Sequence, residues 1–288
     1  MRFENRTPDE NVNYSIEHPL KEFAWLVGGV LGSVLILTLL AGFFVGELAA
    51  RLPYRYEQAL ADAVATKLGG DQNDKNTAAI EQELNQLAAR IAAHMPLPDG
   101  MQIRVHYQDT SEVNAFATLG ANIVIYRGLL TRLPDENALA MVLAHEMAHA
   151  KLRHPARSLG RGVAVGIILS AVGSGMGRNA ASGALGTTGG LSLLKFSRDQ
   201  ERDADAAALS AIAALYQHVG GAQDVFRLLA AASTGSEALR VTMLSTHPLS
   251  QDRIDTIIAL ARDRGWPVEG TRTPLPGALN VANSADQN

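Results

Sequence analysis

Residues 133–154 leave the chain little choice. Leu133-Pro134-Asp135-Glu136 offers a proline and two acids for a first helical turn, and Lys151, Arg153 and His154 offer cations for a last one. Between them nearly every residue is Ala, Leu, Met or Val, so the predicted helix is apolar all round and belongs in an interior. Unpaired charge in such a place is expensive. Yet this helix carries His145, Glu146 and His149. Whatever the chain folds into has to bring partners to those three side chains.

Their spacing narrows what the partners do. His145 and His149 are four apart, so both imidazoles lie on one helix face at a separation that a single zinc ion can bridge. Glu146 is turned about 100° from His145, near enough to hold a water without being a ligand itself. This is the His-Glu-x-x-His arrangement of zinc metallopeptidases. The plainer alternative is a pair of core histidines beside a surface Glu, and the rest of the chain has to decide.

With 288 residues the chain can bury one good core with appendages. It has no cysteine, which excludes disulfides, thiolate metal sites and cysteine nucleophiles but assigns no compartment. A net charge of -4 and the lack of an aromatic-basic patch give no reason to expect nucleic acid as a partner.

Residues 1–22 read as a polar tail. Residues 23–46 contain no charge and as a helix extend about 36 Å, enough to cross a bilayer with some tilt. Trp25, Tyr54 and Tyr56 sit where interfacial aromatics would. A cleaved signal peptide would have a shorter apolar region nearer the start, so a permanent single-pass anchor is the reading taken. Arg2, Arg6 and Lys21 before the span balance Arg51, Arg55 and Lys67 after it, a near tie for the positive-inside rule. The orientation adopted puts the N-terminus in the cytoplasm and the bulk of the chain outside.

Helices are predicted over 54–68 and 77–94, the second with Leu84, Leu87 and Ile91 on one face. At Met101 the period changes to two. Residues 101–107, 113–117 and 122–126 then read as strands, with Leu119-Gly120-Ala121 as a turn, giving a small antiparallel sheet ahead of the His145 helix. A free edge formed by Asn114-Ala115-Phe116-Ala117 or by Ile123-Val124-Ile125 could hold an extended peptide as an added strand. A plain hairpin with Phe116 in the core fits the same residues equally well.

A catalytic zinc takes three protein ligands. Leu152 and Pro155 stand where the metzincin pattern needs Gly and His, and no acid occurs between His149 and Asp199. His154, five beyond His149, reads as a helix C-terminal cation. A downstream carboxylate ligand must therefore come from Asp199 onward, where an alanine-rich helix begins. There Glu201 and Asp205 share a face at i,i+4 while Asp203 points elsewhere. Glu201 is the expected ligand. Asp205 is placed to accept the free N–H of a ligating His. Without the His145 motif, a solvated acidic first turn would explain these acids as well.

Taken together, these residues resemble the M48 family of membrane-associated zinc metallopeptidases, which includes HtpX-like proteases, periplasmic quality-control peptidases and CAAX prenyl endopeptidases. The resemblance runs over roughly residues 77–262 and rests on several motifs in order: Asn114-Ala115-Phe116-Ala117, Ile125-Tyr126-Arg127-Gly128-Leu129-Leu130, the His145 pentapeptide, Glu201 with Asp205, and Thr246-His247-Pro248 with Arg253-Ile254. It implies an α+β, mainly helical, gluzincin-like zincin domain. It also implies that the Asn114–Ala117 stretch is the edge strand beside the cleft, and that His247 and Arg253 reach that cleft. There His247 would stabilise an oxyanion or take a fourth zinc position at rest, and Arg253 would orient an active-site group.

The organisation expected is thus a tail over 1–22, an anchor over 23–46, a peptidase domain over 54–264 and a Pro- and Gly-rich tail without fixed structure over 265–288. A glycine-rich insert at about 160–190 is too interrupted to span a membrane. It fits a hairpin that caps the cleft or rests on the membrane surface, or a loop without fixed structure. The function expected is zinc-dependent hydrolysis of internal peptide bonds in unfolded or membrane-associated proteins, a quality-control role at a bacterial inner membrane with the domain in the periplasm. One Zn2+ would sit on His145, His149 and Glu201, with Glu146 as general base. The competing reading is an M48-like chaperone or assembly factor that binds polypeptide with little cleavage.

Overall fold

The computed structural model describes residues 19–65, 74–172, 195–233, 243, 247 and 251–280. Helix α1, Pro19–Arg51, extends beyond the uncharged run at both ends. It is long and apolar enough to cross a membrane, and little of its apolar window is buried. Helix α2, Tyr54–Ala65, follows directly. Helix α3, Lys75–Ala92, begins at Asp74, whose carboxylate accepts the N–H groups of Asn76 and Thr77 as an N-cap. It buries Ile80, Leu84, Leu87 and Ile91, the face that the 3.6-residue period predicts.

Three short strands come next: β1 (Arg104–Gln108), β2 (Ala115–Thr118) and β3 (Asn122–Tyr126), in the order β1-β3-β2. The β2–β3 hairpin is antiparallel, Ala115 opposite Ile125, as expected. The sheet as a whole is mixed, because β1 pairs with β3 in parallel, Arg104 opposite Asn122. Alternation of apolar and polar residues assigns faces and is blind to strand direction. The outer edge of β1 is occupied by α3: Asn85 bonds both the N–H and the carbonyl of Val105, and Glu81 accepts the N–H of Tyr107. That leaves β2 as the sheet edge that α3 does not cover, although all four of its residues are buried.

At the hairpin turn Gly120 has φ +71°, and a Cβ there would lie 2.4 Å from the Cβ of Ala61, so α2 sits directly on the turn. Glu57 of α2, itself buried, accepts the N–H of Gly120 at 2.9 Å and pairs with Arg153.

A short helix α4, Arg127–Leu130, leads to α5, Glu136–Lys151, the predicted histidine helix. Asp135 caps it by accepting the N–H of Ala138, and every residue from Glu136 to Ala150 is buried. Arg153, at φ +59°, ends it and turns the chain into α6, His154–Val172. The glycine-rich insert therefore starts as helix, and its remainder from residue 173 onward lies outside the described residues. Helix α7, Arg198–Tyr216, opens with a capping box between Ser197 and Gln200 and packs along α5. Helices α8, Ala222–Ser233, and α9, Gln251–Asp263, complete the layer.

The tail expected to lack structure is a clasp over residues 265–280. Trp266, Val268, Leu275 and Leu279 pack on the core. The carbonyl of Thr273 accepts the N–H of Glu136, its own N–H goes to Asn137, and Arg272 pairs with Asp135 and Asp224. Proline and glycine fix the path of this segment while its polar contacts hold the start of α5. Residues 281–288 and the polar tail 1–18 lie outside the described residues.

Candidate metal centre

Burial of α5 forces its polar side chains to find partners within the protein, and α7 supplies them for His145 and His149. On α7, Glu201 and Asp205 face α5 while Asp203 is exposed. Nε2 of His149 lies 3.0 Å from Nε2 of His145, and Oε2 of Glu201 lies 3.5 Å from the latter. His247 joins them: its Nδ1 is 3.1 Å from Oε1 of Glu201 and 3.3 Å from Nε2 of His145. One donor atom from each of these four buried residues falls within 4.8 Å of all the others.

The donor set fits a metal ion of zinc type, three imidazoles and a carboxylate. The atoms behind the donors agree. Nδ1 of His145 stands 2.9 Å from Asp205, which favours the tautomer that frees Nε2. Nδ1 of His149 stands 2.9 Å from Nδ1 of His154 and can donate to it, freeing the other Nε2. His154 is buried and carries no charge: burial, helped by the nearby Arg157, lowers its pKa to about 3. It is therefore not the helix C-terminal cation that the sequence suggests. The inference from five-residue spacing holds only if the helix continues, and here α5 stops at Lys151 and α6 restarts at His154.

Arg253 closes the acidic side. Its guanidinium binds Asp205 through two nitrogens, each at 2.9 Å, and reaches Glu201 at 2.8 Å. Burial works against ionisation of Glu201 and Asp205, yet bonds to His145, with His247 or Arg253, hold both carboxyls below the usual range. Burial also works against charge on His145, but hydrogen bonds to Asp205 and Glu201 raise its pKa to about 10. His149 goes the other way, held low by burial and then by the charge of His145.

Glu146 is fully buried. Its Oε2 accepts the N–H of Ala117 on β2 at 2.8 Å. Its Oε1 has no hydrogen-bond partner among the described residues and lies 3.5 Å from Nε2 of His247. The edge strand β2 and the histidine helix thus meet at this carboxylate. Asn114, Ala115, Phe116 and Ala117 are all buried, with Phe116 packed against Val124 and Tyr126. Beside the donors a small cleft is walled by Met141, Val142, Val225, Phe226 and Met243.

The structure brings together His145, Glu146, His149, Glu201, Asp205, His247 and Arg253. Thr246 and Pro248 lie outside the described residues. Sequence reasoning missed two contributors. One is His154. The other is Phe196, whose ring stacks on His149 with centroids 4.1 Å apart. Phe196 immediately precedes the cap Ser197, the position from which an apolar residue packs back on its helix, and that was the available signal.

Comparison with known proteins agrees with this constellation. The model of peptidase family M48 matches residues 74–261. The beta-barrel assembly-enhancing protease of Escherichia coli (strain K12) is 26% identical over 202 residues, covering 59% of this chain and 40% of that protein. The mitochondrial metalloendopeptidase OMA1 of Schizosaccharomyces pombe is 29% identical over 174 residues, 60% of this chain and 51% of that one. The chain thus spans about half the length, or less, of these relatives. A match of that extent to the family, over a buried group of three histidines and a glutamate, supports a metalloprotease: the chain belongs to peptidase family M48.

Proposed function

We propose that this protein is a zinc-dependent endopeptidase that hydrolyses internal peptide bonds of unfolded or membrane-associated polypeptides in protein quality control. The observation that carries the reading is the meeting of Glu146 with both His247 of the four-residue donor group and the backbone of β2. His145, His149 and Glu201 would hold the metal, oriented by Asp205, His154 and Arg253. A zinc ion bound there supplies Lewis acidity towards water and the scissile carbonyl.

The remaining steps belong to the chain's own residues. A substrate strand adds to the edge of β2, the edge that α3 does not cover, and this lays its backbone beside Glu146. The cleft between Met141 and Phe226 takes an apolar side chain next to the scissile bond. Glu146 removes a proton from the attacking water through Oε1 as the carbon–oxygen bond forms. It returns that proton to the amine nitrogen as the carbon–nitrogen bond breaks. His247, with its ring among the donor atoms, is better suited to a fourth ligand position at rest than to the oxyanion alone.

Helix α1 would anchor the protein in a bacterial inner membrane, with the chain from residue 54 onward on the periplasmic side. The domain bounds follow the same reading: tail 1–22, anchor 23–46, peptidase domain from 54 through the clasp.

The test is Glu146→Gln. The amide still accepts the N–H of Ala117 and cannot act as a base. Zinc content and melting temperature should stay as in the wild type while cleavage of an unfolded protein falls by at least about 10²-fold. A variant that cleaves at the wild-type rate, or a zinc-loaded wild type that never cleaves, overturns the assignment.

A further inference from the structure

Helix α6 does not stay with the peptidase core. It runs antiparallel along α1 in one of the most extensive helix contacts of the molecule. The two backbones meet at glycines. A Cβ on Gly160 would lie 2.9 Å from both the carbonyl oxygen of Val45 and the Cβ of Ala49, and one on Gly46 would lie 3.0 Å from the carbonyl oxygen of Arg157. Further on, Val165 comes level with Gly42. Helix α6 thus climbs α1 towards the middle of its uncharged run, reaching about 18 Å past the crossing by Val172.

Charge changes at one level on both helices. At or below the crossing lie the Glu47–Arg157 ion pair at 3.2 Å, the bond from Arg153 to the carbonyl of Leu52, and Arg161 with its bonds to Ser158 and Gln200. Above it, residues 23–46 of α1 and 162–172 of α6 contain no charged residue. In that upper part Ile167 is 62% exposed and Leu35 of α1 is 59% exposed. Water is a poor neighbour for such a pair. Hydrocarbon is the natural one, and a row of charges at its boundary is what a membrane surface accepts.

We propose that α6 is a second membrane element, its uncharged half seated in the bilayer beside the C-terminal half of α1, with lipid acyl chains covering the face turned away from α1. The proposal rests on reading α1 as a membrane span. It does not require α6 to cross, for which its uncharged stretch is too short.

The absence of native cysteine allows single cysteines to be introduced at Leu35 on α1, Ile167 on α6 and Ser210, an exposed residue of α7. Each full-length variant is labelled with an environment-sensitive fluorophore and placed in phosphatidylcholine–phosphatidylglycerol vesicles containing lipids spin-labelled on the acyl chain. Equal zinc content across the three certifies folding. The label at position 167 should be quenched severalfold more than that at 210 and to the same order as that at 35. Strong quenching at 35 with only the level of 210 at 167 overturns the proposal and leaves the anchor standing. A blue-shifted, unquenched label at 167 also overturns it, since protein rather than lipid would then cover α6. Loss of quenching at 35 overturns the anchor reading and the proposal together.

Discussion

Two antiparallel helix pairs organise this protein, and they are held by opposite means. The α5–α7 pair carries a buried charge network beside its apolar packing: His145 on Asp205, with Arg253 of α9 on both Asp205 and Glu201. In the α1–α6 pair the contact is backbone on backbone at Gly46 and Gly160, with one ion pair at its rim. The first pair depends on which atoms carry charge, the second on how much volume stands between two helices. The two are sensitive to different substitutions, and that difference can be tested.

The largest effect should come from the charge network. Arg253→Met leaves two buried carboxylates short of a counter-charge, a loss of about 3–5 kcal/mol. Denaturant unfolding should show it most in the presence of a chelator and less with zinc, because a bound cation replaces part of the missing charge. Equal losses in both conditions would mean that Arg253 serves packing instead.

Next comes His154→Ala, which removes the partner of Nδ1 on His149 and touches no donor atom. Zinc affinity, read by competition with a chromogenic chelator, should fall about 10–100-fold with the fold intact. The smallest effect on the centre is expected from the other pair. Gly160→Val forces apart backbones that already touch and should cost about 1–3 kcal/mol in unfolding, with zinc affinity as in the wild type. If Gly160→Val weakens zinc as much as His154→Ala does, the two pairs are one unit and the contrast drawn between them fails.

The pairs also differed in how far the sequence disclosed them. The donors of α5 and α7 could be found because helical spacing fixes which side chains share a face, and because buried polar residues demand partners. The β2–β3 hairpin was visible through its period and its turn. The rest depended on what spacing does not encode. The parallel direction of β1 comes from where α3 and the hairpin place it. His154 required knowing that Arg153 takes a left-handed φ and breaks the helix. The clasp over 265–280 is held by side-chain-to-backbone bonds to Asn137 and by Arg272, interactions that leave no periodic trace. The α1–α6 contact is made by glycines, which carry no side chain to announce a partner.

Glu57 joins the two pairs. Its carboxylate holds the turn of the β2–β3 hairpin at Gly120 and pairs with Arg153, where the histidine helix ends, and the helix that carries it follows α1 after a two-residue link. One carboxylate therefore ties α2 to both the β2–β3 turn and the end of the histidine helix, so that a shift of α2 reaches the two together.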